Sequence, residues 1–154
     1  MTEEALLPSE IREKVLAQHR EIEEMLADLQ TGASDSEQNP ETWVEQVKRC
    51  AYALRGVLEL HMKFEEEQLV PAIQEADGFG PERARHILSE HEQQRKQLDA
   101  IVESILAAVS KEQLVKGIEE LATMLRSDMR QEECNYVNAK LLRDSLIPND
   151  TFGG

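Results

Sequence analysis

Residues 54–65 read Leu54-Arg55-Gly56-Val57-Leu58-Glu59-Leu60-His61-Met62-Lys63-Phe64-Glu65. Leu54, Val57, Leu58, His61, Phe64 and Glu65 recur at steps of three and four, the period of one helix face. The segment is therefore a helix, but its apolar face carries an imidazole and a carboxylate. A His and a Glu four residues apart lie about 40° from one another around a helix, so both can reach one ion or bridge two. An ionised Glu in an apolar interior costs several kcal/mol unless it is paired or bound to metal. The stretch calls for a helical core and for a counter-charge inside it.

The same period extends outward in both directions. A first helix is expected from about Ser9 to Gln30, capped by Ser9 and ending near Gly32, with Ile11, Val15, Leu16, Ile22, Met25, Leu26 and Leu29 on one face. The linker TGASDSEQNP follows, and an Asn39 cap with Pro40 in the first turn opens the second helix. That helix runs through Val44, Val47 and the quoted stretch towards Ala76, with Pro71 expected to kink it or end it earlier. In the turn ADGFGP, Gly78 stops one helix and Pro81 starts a third, which carries Ile87, Leu88, Leu98, Ile101, Val102, Ile105, Leu106 and Val109. A capping box, Ser110-Lys111-Glu112-Gln113, opens the fourth, with Leu114, Ile118, Leu121, Leu125, Val137 and Leu141 on its stripe. The tail from Pro148 to Gly154 reads as frayed. Four amphipathic helices with short connections predict an all-α fold, an up-down-up-down antiparallel four-helix bundle. It is expected as a single domain over residues 1–154, with its core at about 9–145 and short flexible tails.

Composition narrows the function. Seventeen basic and 31 acidic residues give a formal charge of -14, which argues against nucleic acid and against an anionic membrane surface as partners. No stretch approaches the ~18 apolar residues of a spanning helix. The start, MTEEALLPSE, has no basic segment followed by an apolar run, so a cytoplasmic protein is expected. Cys50, read as lying on the second stripe, and Cys134 are too few for a thiolate metal site and are expected to be far apart and unbonded.

The remaining information lies in polar residues on the wrong faces. His19 shares a line with Val15, Ile22 and Leu26, and His91 with Ile87, Leu88 and Leu98. Asp128 and Glu132 continue the line of Leu121 and Leu125. A lone core-facing His is usually a hydrogen-bonded structural residue. Chance placement of three of the four histidines on three separate stripes is roughly one in ten, given a stripe about a third of the circumference wide. Apart from Arg95, no Lys or Arg shares the stripes near Glu65, Asp128 and Glu132, so a salt-bridge cluster does not absorb these carboxylates and a metal does. Counting turns from each connection puts His19, His61 with Glu65, His91, and Asp128 with Glu132 at one height along the bundle. His86 falls at the bundle edge and is expected in solvent, as are Glu66, Glu67 and Glu133; Tyr136 is expected to pack.

These elements, His19, the run His61-Met62-Lys63-Phe64-Glu65-Glu66, Ser89-Glu90-His91-Glu92 and Asp128-Met129-Arg130-Gln131-Glu132-Glu133, resemble the hemerythrin-like, or HHE cation-binding, family over about residues 9–145. The resemblance implies a non-haem di-iron centre held by His19, His61, Glu65, His91 and Glu132, with Glu65 and Glu132 bridging two ions. Iron is the expected metal, with Mn or Zn as alternatives, and a small diatomic molecule or peroxide is the expected ligand. Two departures stand out. Arg95 replaces the second helix-three His of the oxygen carriers, and Asp128 replaces the His that usually opens the helix-four motif. Three histidines and three carboxylates are harder ligands than an oxygen carrier offers, which argues against reversible O2 transport. The expected role is sensing or handling O2, NO, peroxide or iron. The rival readings are a carboxylate-rich di-iron oxidase or peroxidase and a non-metal interaction bundle. The sequence has no phosphate-binding loop and no Ser/Cys-His arrangement, which leaves catalysis open, and it points to no protein partner.

Overall fold

The computed structural model describes residues 5–34 and 40–145. They form α1 (Pro8–Ser34), α2 (Pro40–Phe64), α3 (Val70–Gln74), α4 (Gly80–Ala107) and α5 (Lys111–Asn135), with a π-helical turn, Glu65–Leu69, joining α2 to α3. No strand occurs among the described residues, and the helices pack as a bundle. The Asn39 cap and the tail from Pro148 to Gly154 lie outside the described residues. No described helix is long and apolar enough to cross a membrane.

Tertiary contacts move several helix ends. α1 starts at Pro8, whose fixed φ suits a first turn. Ser9 does not cap it; Ser9 N and Oγ instead donate to the two oxygens of Asp144, at 2.8 and 2.7 Å. A carboxylate distant in sequence thus meets the positive end of the helix. α1 also runs through Gly32, whose carbonyl accepts from Trp43 Nε1. At the start of α5 the capping box forms: Ser110 Oγ accepts from Gln113 N at 3.2 Å, and Gln113 Oε1 reaches back to Val109 N at 2.9 Å. The other end of α5 stops at Asn135, so Val137 and Leu141 are not part of the helix as the periodicity had implied. Asn138 Oδ1 accepts from Lys140 N and Leu141 N, a side-chain turn that competes with helix continuation.

Pro71 neither ends the rod nor breaks it. The helix continues to Gln74, and the irregularity falls one turn earlier, where Val70 N bonds to Glu65 O. Pro71 has no N–H to give and its ring crowds the carbonyl four residues back, so a wider turn ahead of it accommodates both. Glu65 opens that turn. The α3–α4 turn is tight at Gly80, where a Cβ would run into the backbone carbonyls of Ile73 and Gln74. Gly80→Ala is expected to cost about 1–3 kcal/mol, read as a lower urea midpoint with an unchanged m-value.

The core is divided along the bundle. One apolar cluster includes Ile22, Leu26, Leu54, Leu98, Ile118 and Leu121. The other includes Ile11, Val15, Leu69, Ile87, Tyr136 and Val137. Tyr136 packs, as expected. On each of the four long rods a polar core residue falls in sequence between the two clusters, His19, Glu65, His91 and Glu132, and His61 sits one residue before Met62, the last member of the first cluster on its rod. These five are the buried polar side chains among the described residues. Cys50 and Cys134 are both free and exposed, so Cys50 lies off the core face expected for it; Val47 and Ala51 fill the core there.

Candidate metal centre

Five of the six side chains expected at the centre converge. His19 Nε2 lies 2.9 Å from Glu132 Oε1, and His61 Nε2 lies 2.7 Å from Glu65 Oε1 and 3.8 Å from Glu132 Oε1. His91 Nε2 lies 3.6 Å from Glu65 Oε1, and the His19 and His61 rings meet edge-on with centroids 4.9 Å apart. Two sets of three emerge, His19 with His61 and Glu132, and Glu65 with His91 and Glu132. Within each set the ligand-capable atoms all lie within 4.8 Å of one another. Glu132 belongs to both, and Glu65 touches a histidine of each.

The outer nitrogens of the three rings have neighbours that the sequence did not reveal. Gln18 Oε1 lies 2.6 Å from His61 Nδ1. Glu66 Oε2 lies 3.4 Å from His91 Nδ1, and both Glu66 oxygens bond Arg95, at 2.7 and 3.0 Å. Glu133 Oε2 lies 3.5 Å from His19 Nδ1, without hydrogen-bond geometry. Glu66 and Glu133, expected in solvent, are therefore half-buried beside ligand-type histidines, whereas Glu67 is exposed as expected. A ring that gives its outer N–H to an acceptor presents its other nitrogen bare, the form a metal needs. Arg95 turns away from the cluster towards Glu59 and Glu66, so it supplies no cation to Glu65 or Glu132. His86 stands largely in solvent, paired with Glu90 at 2.8 Å.

Burial dominates the electrostatics. It lowers His61 to about 4, despite the Glu132 charge, so the imidazole is neutral and able to ligate. Burial also pushes Glu132 up to about 7, helped by the charge and hydrogen bond of Glu65. Burial alone would lower His19 and His91, but the carboxylates of Glu132 and Glu65 respectively outweigh it, and both are raised. These are carboxylates and imidazoles sharing protons in place of a stronger cation.

Asp128, the sixth residue, belongs to neither set of three. It is half-buried and lines a cavity of about 30 Å³ beside the cluster, together with Leu58, Met62, Gln94, Met124 and Met129. That space suits one or two water-sized groups. Burial first, then the charges of Glu90 and Glu132, raise Asp128 to about 6. Gln94 stands three residues after His91 and four before Leu98, on the same helix face, but its neutral amide gave it no place among the charged and imidazole side chains sought as ligands.

A bound cation fits this set of residues. Glu65 Oε2, His91 Nε2 and Asp128 Oδ2 are buried and have no hydrogen-bond partner. Buried polar atoms of that kind are rare unless something polar or charged satisfies them. Nitrogen and carboxylate donors together suit a first-row divalent or trivalent ion.

Three imidazoles and two buried carboxylates in one layer of a helical bundle define a cation-binding helical domain. The family model described as the Hemerythrin HHE cation binding domain matches residues 10–139. The chain belongs to that family. No curated protein and no solved structure matches the chain closely enough to add to this assignment.

Proposed function

We propose that the chain, as one domain over residues 1–154, holds a non-haem di-iron centre with which it senses or handles O2, NO, peroxide or iron. The observation that carries this reading is the pair of three-residue sets joined through Glu132. His19, His61 and Glu132 would hold one ion and Glu65, His91 and Glu132 the other, with Glu132 and Glu65 bridging. We read the helices as up-down-up-down. Glu23 pairs with Arg126 while Gln30 pairs with Glu119, and Arg55 pairs with Asp99 while Glu65 pairs with His91, so numbers rise along one helix as they fall along its neighbour. Bound iron would supply a redox change and an open position for a small ligand. The chain itself fixes the His61 and His91 rings through their outer nitrogens, closes both ends with apolar clusters, and leaves beside the cluster a space of about 30 Å³.

Iron per chain, measured after anaerobic loading, tests the reading. His61→Ala is expected to lower iron per chain by the one ion of its own set, and His86→Ala to leave it unchanged. Preferential uptake of Mn or Zn would reassign the metal, and wild type without stoichiometric metal would remove the centre. Catalytic turnover of O2 or peroxide by the loaded protein would favour the oxidase or peroxidase reading.

Asp128 is assigned a contact with one ion, direct or through a water in the cavity. Asp128→Asn is then expected to weaken one ion and spare the other, and Asp128→His to tighten it. Equal stoichiometry and affinity in wild type and both variants would show that Asp128 takes no part.

A further inference from the structure

The three histidines differ in what holds their outer nitrogens. His61 is bonded to a neutral amide, that of Gln18. His19 has only Glu133, outside hydrogen-bond geometry. His91 faces a carboxylate that is itself gripped: Arg95 binds both oxygens of Glu66 at 2.7 and 3.0 Å and lies 3.4 Å from Glu59.

His91 also stands between two carboxylates, Glu66 at 3.4 Å from Nδ1 and Glu65 at 3.6 Å from Nε2. A neutral ring has one N–H to give. If Glu66 takes it, Nε2 is bare and faces the cluster; if Glu65 takes it, Nε2 carries the proton and is closed to a metal. His91 Nε2 is buried with no hydrogen-bond partner, as the first form requires. The Glu66 side chain is 23% exposed, so without a restraint it is free to swing towards water. The bidentate guanidinium is that restraint, because its planar fork fixes both oxygens at once.

We infer that Arg95 and Glu66 are positioning residues for His91: Arg95 holds the Glu66 carboxylate at His91 Nδ1, which keeps the ring in the tautomer whose bare Nε2 faces the cluster. Arg95 stands where the oxygen carriers of the family have a second histidine, so the departure exchanges a ligand for support of the remaining one. The functional consequence rests on the proposed metal centre, but the tautomer does not.

The test therefore has two arms. In the first, nitrogen NMR shifts of His91 are recorded on metal-free protein at alkaline pH, where the ring is neutral. Wild type is expected as the Nδ1–H form. Glu66→Ala is expected to shift the ring towards Nε2–H, donated to Glu65; Arg95→Ala shifts it part of the way, and Arg95→Lys less than Arg95→Ala. An Nε2–H ring in wild type, or one tautomer shared by wild type, Glu66→Ala and Arg95→Ala, overturns the inference. In the second arm, ferrous iron affinity is expected to fall about 10- to 100-fold in Glu66→Ala, with a smaller loss in Arg95→Ala that Arg95→Lys largely restores. Unchanged affinity in both alanine variants of an iron-binding protein also overturns it. Wild type that takes up no iron removes the centre, and the tautomer measurement still decides the role of Arg95 and Glu66.

Discussion

Glu132→Ala is expected to strip both ions from the protein at once. Its carboxylate belongs to each of the two candidate ligand sets, and Oε1 lies 2.9 Å from His19 and 3.8 Å from His61. His19 belongs to one set alone, so His19→Ala should lower iron per chain by half where Glu132→Ala abolishes it. Elemental analysis of the three proteins under identical loading reads the difference, with helical circular dichroism as the control for folding. An ion retained in Glu132→Ala would mean that Glu132 is not required by both ions. The isosteric Glu132→Gln separates the metal from the fold. It removes a buried carboxylate that burial and Glu65 hold at about 7, so metal-free Glu132→Gln is expected to melt above metal-free wild type near neutral pH.

Metal-free and iron-loaded protein should respond to pH in opposite directions. Glu132, raised to about 7 mainly by burial, and Asp128, raised to about 6 by burial and by Glu90 and Glu132, each bind a proton more tightly folded than unfolded. Their contribution is full below the ordinary carboxylate range and is lost as pH rises through about 6 to 7. His19 and His91, both raised, lose theirs in the same direction. His61 opposes them: lowered to about 4 by burial, it contributes above the ordinary histidine value and loses that contribution as pH falls towards 4. Four groups outweigh one, so metal-free protein is expected to lose stability, on the order of 1 kcal/mol or more, between mildly acidic and neutral pH. Iron binding requires the same groups deprotonated, so the loaded protein should gain stability over that window. Melting temperatures with iron and with chelator, followed across pH, provide the check. Parallel curves would count against a buried centre at these residues.

The four rods and the faces that carry His19, His61, Glu65, His91 and Glu132 were legible in the sequence. A residue on an apolar stripe points at the bundle axis whatever its chemistry, because the period of three to four belongs to the helix itself. Local chemistry also placed the Ser110 cap, since the groups that satisfy it lie within three residues. His86 was read as solvated for the same reason, being off the line of His91.

The tertiary structure decided the rest. The end of α1 is tied to Asp144, more than a hundred residues away, and no local pattern encodes that bond. The π turn at Glu65–Leu69 depends on how the rod accommodates Pro71 while keeping Glu65 and Leu69 buried. Above all, Glu66 and Glu133 lie beside the stripes and not on them, so periodicity placed both glutamates in water, and Gln18, three residues after Val15 and four before Ile22, carries a neutral amide that marked no site role. Gln18 reaches His61 on the next helix, and Glu66 reaches His91 and Arg95. Whether an off-stripe side chain meets solvent or a neighbouring ring is set by how closely two helices approach and in what register. The sequence determined which residues face the axis; only the packing of the helices against one another determined what stands behind them.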